Sequence, residues 1–142
     1  MKNAGKFEVI KAMEKTTRNS AIRAVQDKGT KFETPELYQI YAVYQRIASP
    51  ETFLVDESQF NEILLELVPW IEWRSDLMQP LFQYAGKGNQ MLSFVEVALV
   101  LSYCCKGPLR ERLQFYFQLH DVNNEGKLDE GDYYRTLDAL IR

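Results

Sequence analysis

Twelve consecutive residues, Asp121-Val122-Asn123-Asn124-Glu125-Gly126-Lys127-Leu128-Asp129-Glu130-Gly131-Asp132, constrain this chain more than any other stretch. Oxygen-bearing side chains stand at places 1, 3, 5, 9 and 12, with glycine at place 6. A hard cation such as Ca²⁺ or Mg²⁺ requires a shell of oxygen ligands, which a chain supplies only by bending sharply around the ion. Gly126 permits that bend because it tolerates positive φ. Leu128, at place 8, is expected to point inward and anchor the loop.

The loop also serves as a ruler. Leu92 lies 36 residues before Leu128, and Val55 lies 37 before Leu92. A near-constant spacing of this size marks repeated supersecondary units. Apolar or aromatic residues recur at the same three offsets before place 1 of each loop. They are Ile40, Tyr44 and Ile47; Leu77, Leu81 and Tyr84; Leu113, Phe117 and His120. Those offsets put one stripe on one helix face. The segments after the loops also read as helices, ending with 133–141. The division is an N-terminal helical extension and linker at 1–33, then helix–loop–helix units at 34–68, 69–106 and 107–142.

Boundary signals fit this division. Thr34 reads as a helix cap with Pro35 at the first helical position. Pro69, Trp70 and Trp73 mark the first joint, and Lys106-Gly107-Pro108 the second. Pro80 falls inside an expected helix, where proline costs about 3 kcal/mol, so that helix starts late or kinks there. Phe7 to Val25 carries helical apolar spacing that Arg18-Asn19-Ser20 could interrupt, giving one or two helices; Gln26 to Lys31 reads as a polar linker.

The three loops differ in chemistry. Loop one, Ala48 to Gln59, has Ala48, Pro50 and Thr52 at places 1, 3 and 5 and lacks the carboxylates a cation needs. Loop two, Ala85 to Glu96, keeps Asn89, Ser93 and Glu96, but Lys87 would bring an ammonium into a cation site. Loop three is the candidate. Asp121, Asn123, Glu125 and Asp132 offer side-chain oxygens, Lys127 its backbone carbonyl, and Asp129 acts directly or through water. Asp132 is shorter than the glutamate that binds with both oxygens, which tilts the site toward Mg²⁺ or weak Ca²⁺. The competing reading is a solvated acidic turn that holds two helices at an angle.

Composition excludes several classes. A net charge of −3 and a pI near 5.3 argue against nucleic acid, whose binding needs a basic face. No apolar run reaches a membrane span, and no signal peptide or myristoylation pattern is visible. Cys104 and Cys105 are adjacent, which suits a reduced cytoplasmic setting and simple helix packing. His120 reads as a packing residue, and no catalytic constellation, phosphate loop or zinc spacing accompanies it. The aromatics, 13% of the chain, fill the cores or line a groove for a partner helix.

From Glu36 to Arg142 the pattern resembles EF-hand proteins of the recoverin and calcineurin-B kind, with Leu109 to Asp121 similar to the start of their third hand. A narrower likeness starts earlier. Ile10 to Val25 resembles the segment after the catalytic domain in GRAM- and TBC-domain Rab GTPase-activating proteins. Val55 to Phe60 with Val68-Pro69-Trp70, and Gly107 to Leu113, resemble parts of that family's EF-hand region. The resemblance implies a regulatory fragment concerned with GTPase activation, Rab regulation and membrane trafficking. The family's catalytic arginine and glutamine motifs have no match here. The family's middle hand usually carries the better ligands, whereas here the last one does.

The expectation is an all-α EF-hand chain, non-catalytic, with one Ca²⁺ or Mg²⁺ site. Its partner is a protein, either an adjacent TBC domain or an amphipathic helix. Alternatives are a metal-independent scaffold or helix-binding module, and a stand-alone calcium sensor. Hands associate in pairs, so three leave one over. Either the chain is cut short, or the third hand packs on residues 1–33 or on a second copy as a homodimer.

Overall fold

The computed structural model describes residues 2–120, except for the side chains of 2–8, 10, 11, 73, 74, 117 and 120. The candidate cation loop at 121–132, the segment 133–141 expected as its exiting helix, and the His120 and Phe117 side chains lie outside that description.

The described chain is all-helical. It runs α1 (Lys2–Asp27), α2 (Thr34–Ile47), α3 (Glu57–Leu67), a 3-10 segment (Pro69–Leu77), α4 (Met78–Gly86), α5 (Phe94–Cys105) and α6 (Leu109–His120). Helices α2 and α3 flank loop one, and α4 and α5 flank loop two. Val55 and Leu92 join the loops in an antiparallel bridge, N–H to O at 2.9 and 2.8 Å in the two directions. Each is the place-8 residue of its loop, so the sequence ruler marks the residues that pair. Both are fully buried. Around the bridge α2 packs on α5 and α3 on α4. The two units thus form one body with a shared core.

Proline and capping chemistry set the helix starts. Glu33, not Thr34, is the residue before α2; Glu36 Oε1 accepts from the Glu33 N–H at 2.9 Å. Thr34 instead lies within the first turn and its hydroxyl accepts from Gln26 Nε2 at 3.0 Å, tying the end of α1 to the start of α2. Pro80 is the third residue of α4, which starts late after the 3-10 segment. In the first turn an amide has no intrahelical acceptor, so a missing N–H costs little there.

Residues Arg18-Asn19-Ser20 do not interrupt the N-terminal extension, and α1 is a single helix of 26 residues, about 39 Å long. Arg18 instead lies over the Tyr38 ring at 4.7 Å and braces α1 on α2. Ile22 and Val25 are buried where α1 meets α2 and α5. Asp27 still belongs to the helix, which shortens the expected linker. No helix of the described residues is long and apolar enough to cross a membrane.

Candidate functional site

The sequence points to three loops as the places where chemistry could sit. The two that are described hold their shape with protein groups. In each, places 9 and 12 form a capping box. Asp56 Oδ1 accepts from the Gln59 N–H and Gln59 Oε1 from the Asp56 N–H, both at 2.9 Å. Ser93 Oγ accepts from the Glu96 N–H at 3.3 Å and Glu96 Oε1 from the Ser93 N–H at 2.9 Å. Four backbone and side-chain groups are satisfied reciprocally at the start of α3 and again at the start of α5. Glu96, which keeps the ligand identity at place 12, has one carboxylate oxygen committed to this box.

Loop one carries two further cross-ties. Gln59 Nε2 donates to the Ile47 carbonyl at 3.0 Å, joining the last place of the loop to the residue just before its first. A bound cation makes the same connection by drawing place 1 and place 12 to one point. The second tie is Tyr44. Its hydroxyl donates to the Phe53 carbonyl at 2.5 Å and lies 3.2 Å from the Leu92 carbonyl in loop two. Burial of the phenol, with Glu96 and Tyr41 adding to it, pushes its pKa above the ordinary tyrosine value. The hydroxyl therefore stays protonated and remains a donor at neutral pH.

Phe53 stands at place 6, where a cation loop carries glycine, and adopts positive φ of 56°. For a bulky residue that conformation is strained, at a cost of about 1–3 kcal/mol. Its ring offsets the strain by packing on Tyr44 at 5.1 Å and Tyr41 at 5.9 Å. Lys87, at place 3 of loop two, is the left-handed residue that ends α4, and it is exposed. Among the described residues no group of three or more His, Cys, Asp or Glu side chains gathers as a metal site would require.

The predicted ligands Asp121, Asn123, Glu125, Lys127, Asp129 and Asp132 all lie outside the described residues. The helix that leads to them is described. α6 packs on α4 and α5, with Tyr116 fully buried and Phe115 nearly so. Trp70 meets Tyr116 edge-on at 5.5 Å, and Phe115 lies against Tyr84 at 5.0 Å and Tyr103 at 5.6 Å. Cys104 is buried beneath this contact, and burial pushes the Cys104 thiol up and that of half-buried Cys105 up to about 11. Both cysteines are packing residues.

Sequence reasoning missed Tyr44 and Gln59. Tyr44 counted only as an apolar stripe position. Gln59 had a signal, since glutamine at place 12 can replace a carboxylate with a donor.

No family model matches the chain, and no solved structure matches it significantly. Phospholipase D B of Dictyostelium discoideum is 28% identical over 112 residues, which cover 78% of this chain and 9% of that protein. Calcium-binding protein NCSA of the same organism is 20% identical over 127 residues, covering 89% of this chain and 66% of the relative. A calcineurin-B protein of Naegleria gruberi is 18% identical over 130 residues, covering 88% and 71%. The chain thus spans under a tenth of the phospholipase and about two thirds of the other two. Two helix–loop–helix units joined at place 8, with relatives of this kind, make the chain EF-hand-like, and its broad resemblance is to the recoverin and calcineurin-B group.

Proposed function

We propose that this chain is a non-catalytic, cytoplasmic EF-hand regulatory module in which hands one and two form a metal-independent platform. The third hand, through Asp121, Asn123, Glu125, Lys127, Asp129 and Asp132, supplies one Ca²⁺ or Mg²⁺ site. The observation that carries this reading is the Val55–Leu92 bridge between two loops closed by Tyr44, Gln59 and two capping boxes. Loops held in this way leave the metal-dependent role to the remaining loop. The names of the relatives, a calcium-binding protein and a calcineurin-B protein, support the choice of ion.

Parentage in a TBC-type Rab GTPase-activating protein is the finer form of the proposal, and it rests on the sequence segments alone. In that form the partner is the adjacent TBC domain, and the module serves GTPase activation in membrane trafficking. A stand-alone calcium sensor fits the two small relatives equally well, because the chain covers about two thirds of each. A purely structural scaffold is favoured by the same cross-ties that close loop one.

Calorimetric titration of Ca²⁺ and of Mg²⁺ into the metal-stripped chain separates these readings, with Asp121→Ala as control. Saturable binding abolished by the substitution establishes the third loop as the site. Absence of heat at millimolar ion leaves the scaffold.

A further inference from the structure

The helix that leads into the third loop is built like a ligand of the second hand. Leu109, Leu113, Tyr116 and Leu119 recur at steps of four, three and three, the anchor spacing of an amphipathic helix seated in an apolar groove. All four, with Phe115, are packed against the core, while Arg110, Glu111, Gln114 and Gln118 face solvent. The receiving surface consists of α4, α5 and Trp70 of the 3-10 segment.

The seat has features of a reversible contact. Its polar ties include a long hydrogen bond, Tyr116 Oη to the Cys104 carbonyl at 3.4 Å, and an exposed ion pair between Lys31 and Glu111. Arg112 Nε is buried in the seat without a hydrogen-bond partner and would regain water on release. The connection to α5 is Lys106-Gly107-Pro108, with Gly107 at φ 96°, a short joint at which the helix can swing. Tyr84 and Tyr103, each partly exposed beside the seat, also line a cleft of about 670 Å³ together with Val95, Leu99 and the charged Lys87 and Glu96.

We propose that α6 is a detachable self-ligand, an internal helix that covers the apolar face of the second hand and competes with an external amphipathic helix for it. Release uncovers Trp70 and the faces of Tyr84 and Tyr103 that Phe115 and Tyr116 cover, and so widens the cleft that Tyr84 and Tyr103 already line. This deepens the proposed function and rests on it for the signal, since α6 runs directly into the candidate cation loop.

The test is native-state hydrogen exchange on the full chain in EDTA, comparing wild type with Phe115→Ala. Exchange in α6 should accelerate at least tenfold, while α2, α3 and α5 stay within about twofold of wild type. Acceleration of all helices together, or of none, would show an integral core helix and overturn the proposal. Should Phe115→Ala not fold, wild type in rising sub-denaturing urea decides: α6 must open at lower urea than α3 and α5, and simultaneous opening overturns it. Calorimetry with Ca²⁺ judges the metal reading separately, because the EDTA comparison contains no ion. Where Ca²⁺ does bind, α6 exchange must change at least tenfold in wild type and not in Asp121→Ala; binding without that change overturns the competition.

Discussion

Tyr44→Phe removes one oxygen from the centre of the paired loops and leaves the ring. The aromatic contacts with Phe53 at 5.1 Å and Phe94 at 5.5 Å persist, so the change reads the hydroxyl alone. Two carbonyls face that hydroxyl. The Leu92 carbonyl keeps the Val55 N–H at 2.9 Å and is still satisfied. The Phe53 carbonyl loses its 2.5 Å donor. An orphaned, partly buried carbonyl costs about 1–3 kcal/mol. For a domain of this size that corresponds to a fall in melting temperature of roughly 3–10 °C. Urea unfolding followed by circular dichroism, in EDTA and again in millimolar Ca²⁺, measures it. The same loss is expected in both solutions if, as proposed, loops one and two hold their shape without an ion. A loss below about 0.3 kcal/mol refutes the tie, and a loss present only in EDTA refutes its independence from metal.

Gln59→Leu keeps the bulk but removes the donor to Ile47 and one half of the capping box, so urea unfolding should show a loss of about 1–2 kcal/mol. Cys105, held up to about 11 by burial against an ordinary value of 9.0, should be alkylated at pH 8 about 100-fold more slowly than a free thiol. Labelling at the free-thiol rate contradicts the packing. Its sign for stability follows, since a thiol whose folded pKa is raised opposes ionisation. The contribution is intact below about pH 9 and is lost as pH rises toward 11, so unfolding free energy should decline over that window. Glu111→Gln breaks an ion pair with Lys31 whose side chains are 56% and 46% exposed, and thermal unfolding should shift by no more than about 0.5 kcal/mol.

The spacing of place-8 residues carried most of the legible information. Val55 and Leu92 were placed by counting from Leu128, and they are the two residues that bridge. The stripe was legible in part: Ile40, Tyr44, Leu77 and Leu81 are buried, but Tyr84 is 45% exposed. Tyr84 sits at the edge of α4 and meets aromatic rings from α5 and α6, a neighbourhood that a single-helix pattern does not contain. The continuity of α1 through Arg18 to Ser20 was not legible either. There Arg18 lies over the ring of Tyr38, a residue of the next helix, a contact that the spacing within one helix does not contain. Loop closure by Tyr44 escaped for a related reason. Its ring obeys the apolar stripe while its hydroxyl reaches carbonyls nine and 48 residues away. Helix periodicity registers the ring and not the hydroxyl.

The magnitudes favour control at α6 over control of the whole fold. A site held at 100 times its Kd contributes about 2.7 kcal/mol, and the shorter Asp132 in place of glutamate argues against tight binding. That is a minor part of the roughly 5–15 kcal/mol that holds a typical domain together. The seat of α6, with Phe115 and Tyr116 buried beside an unpartnered Arg112 Nε, is likewise only one part of that whole. Loops one and two are tied by Tyr44, Gln59 and their capping boxes, and on the proposed reading the ion acts at the third loop. An ion at the third loop would therefore shift what it is covalently joined to, and among the described elements that is α6. The platform would stay folded in either state, and the aromatic face on α4 and α5 would be the part whose exposure changes.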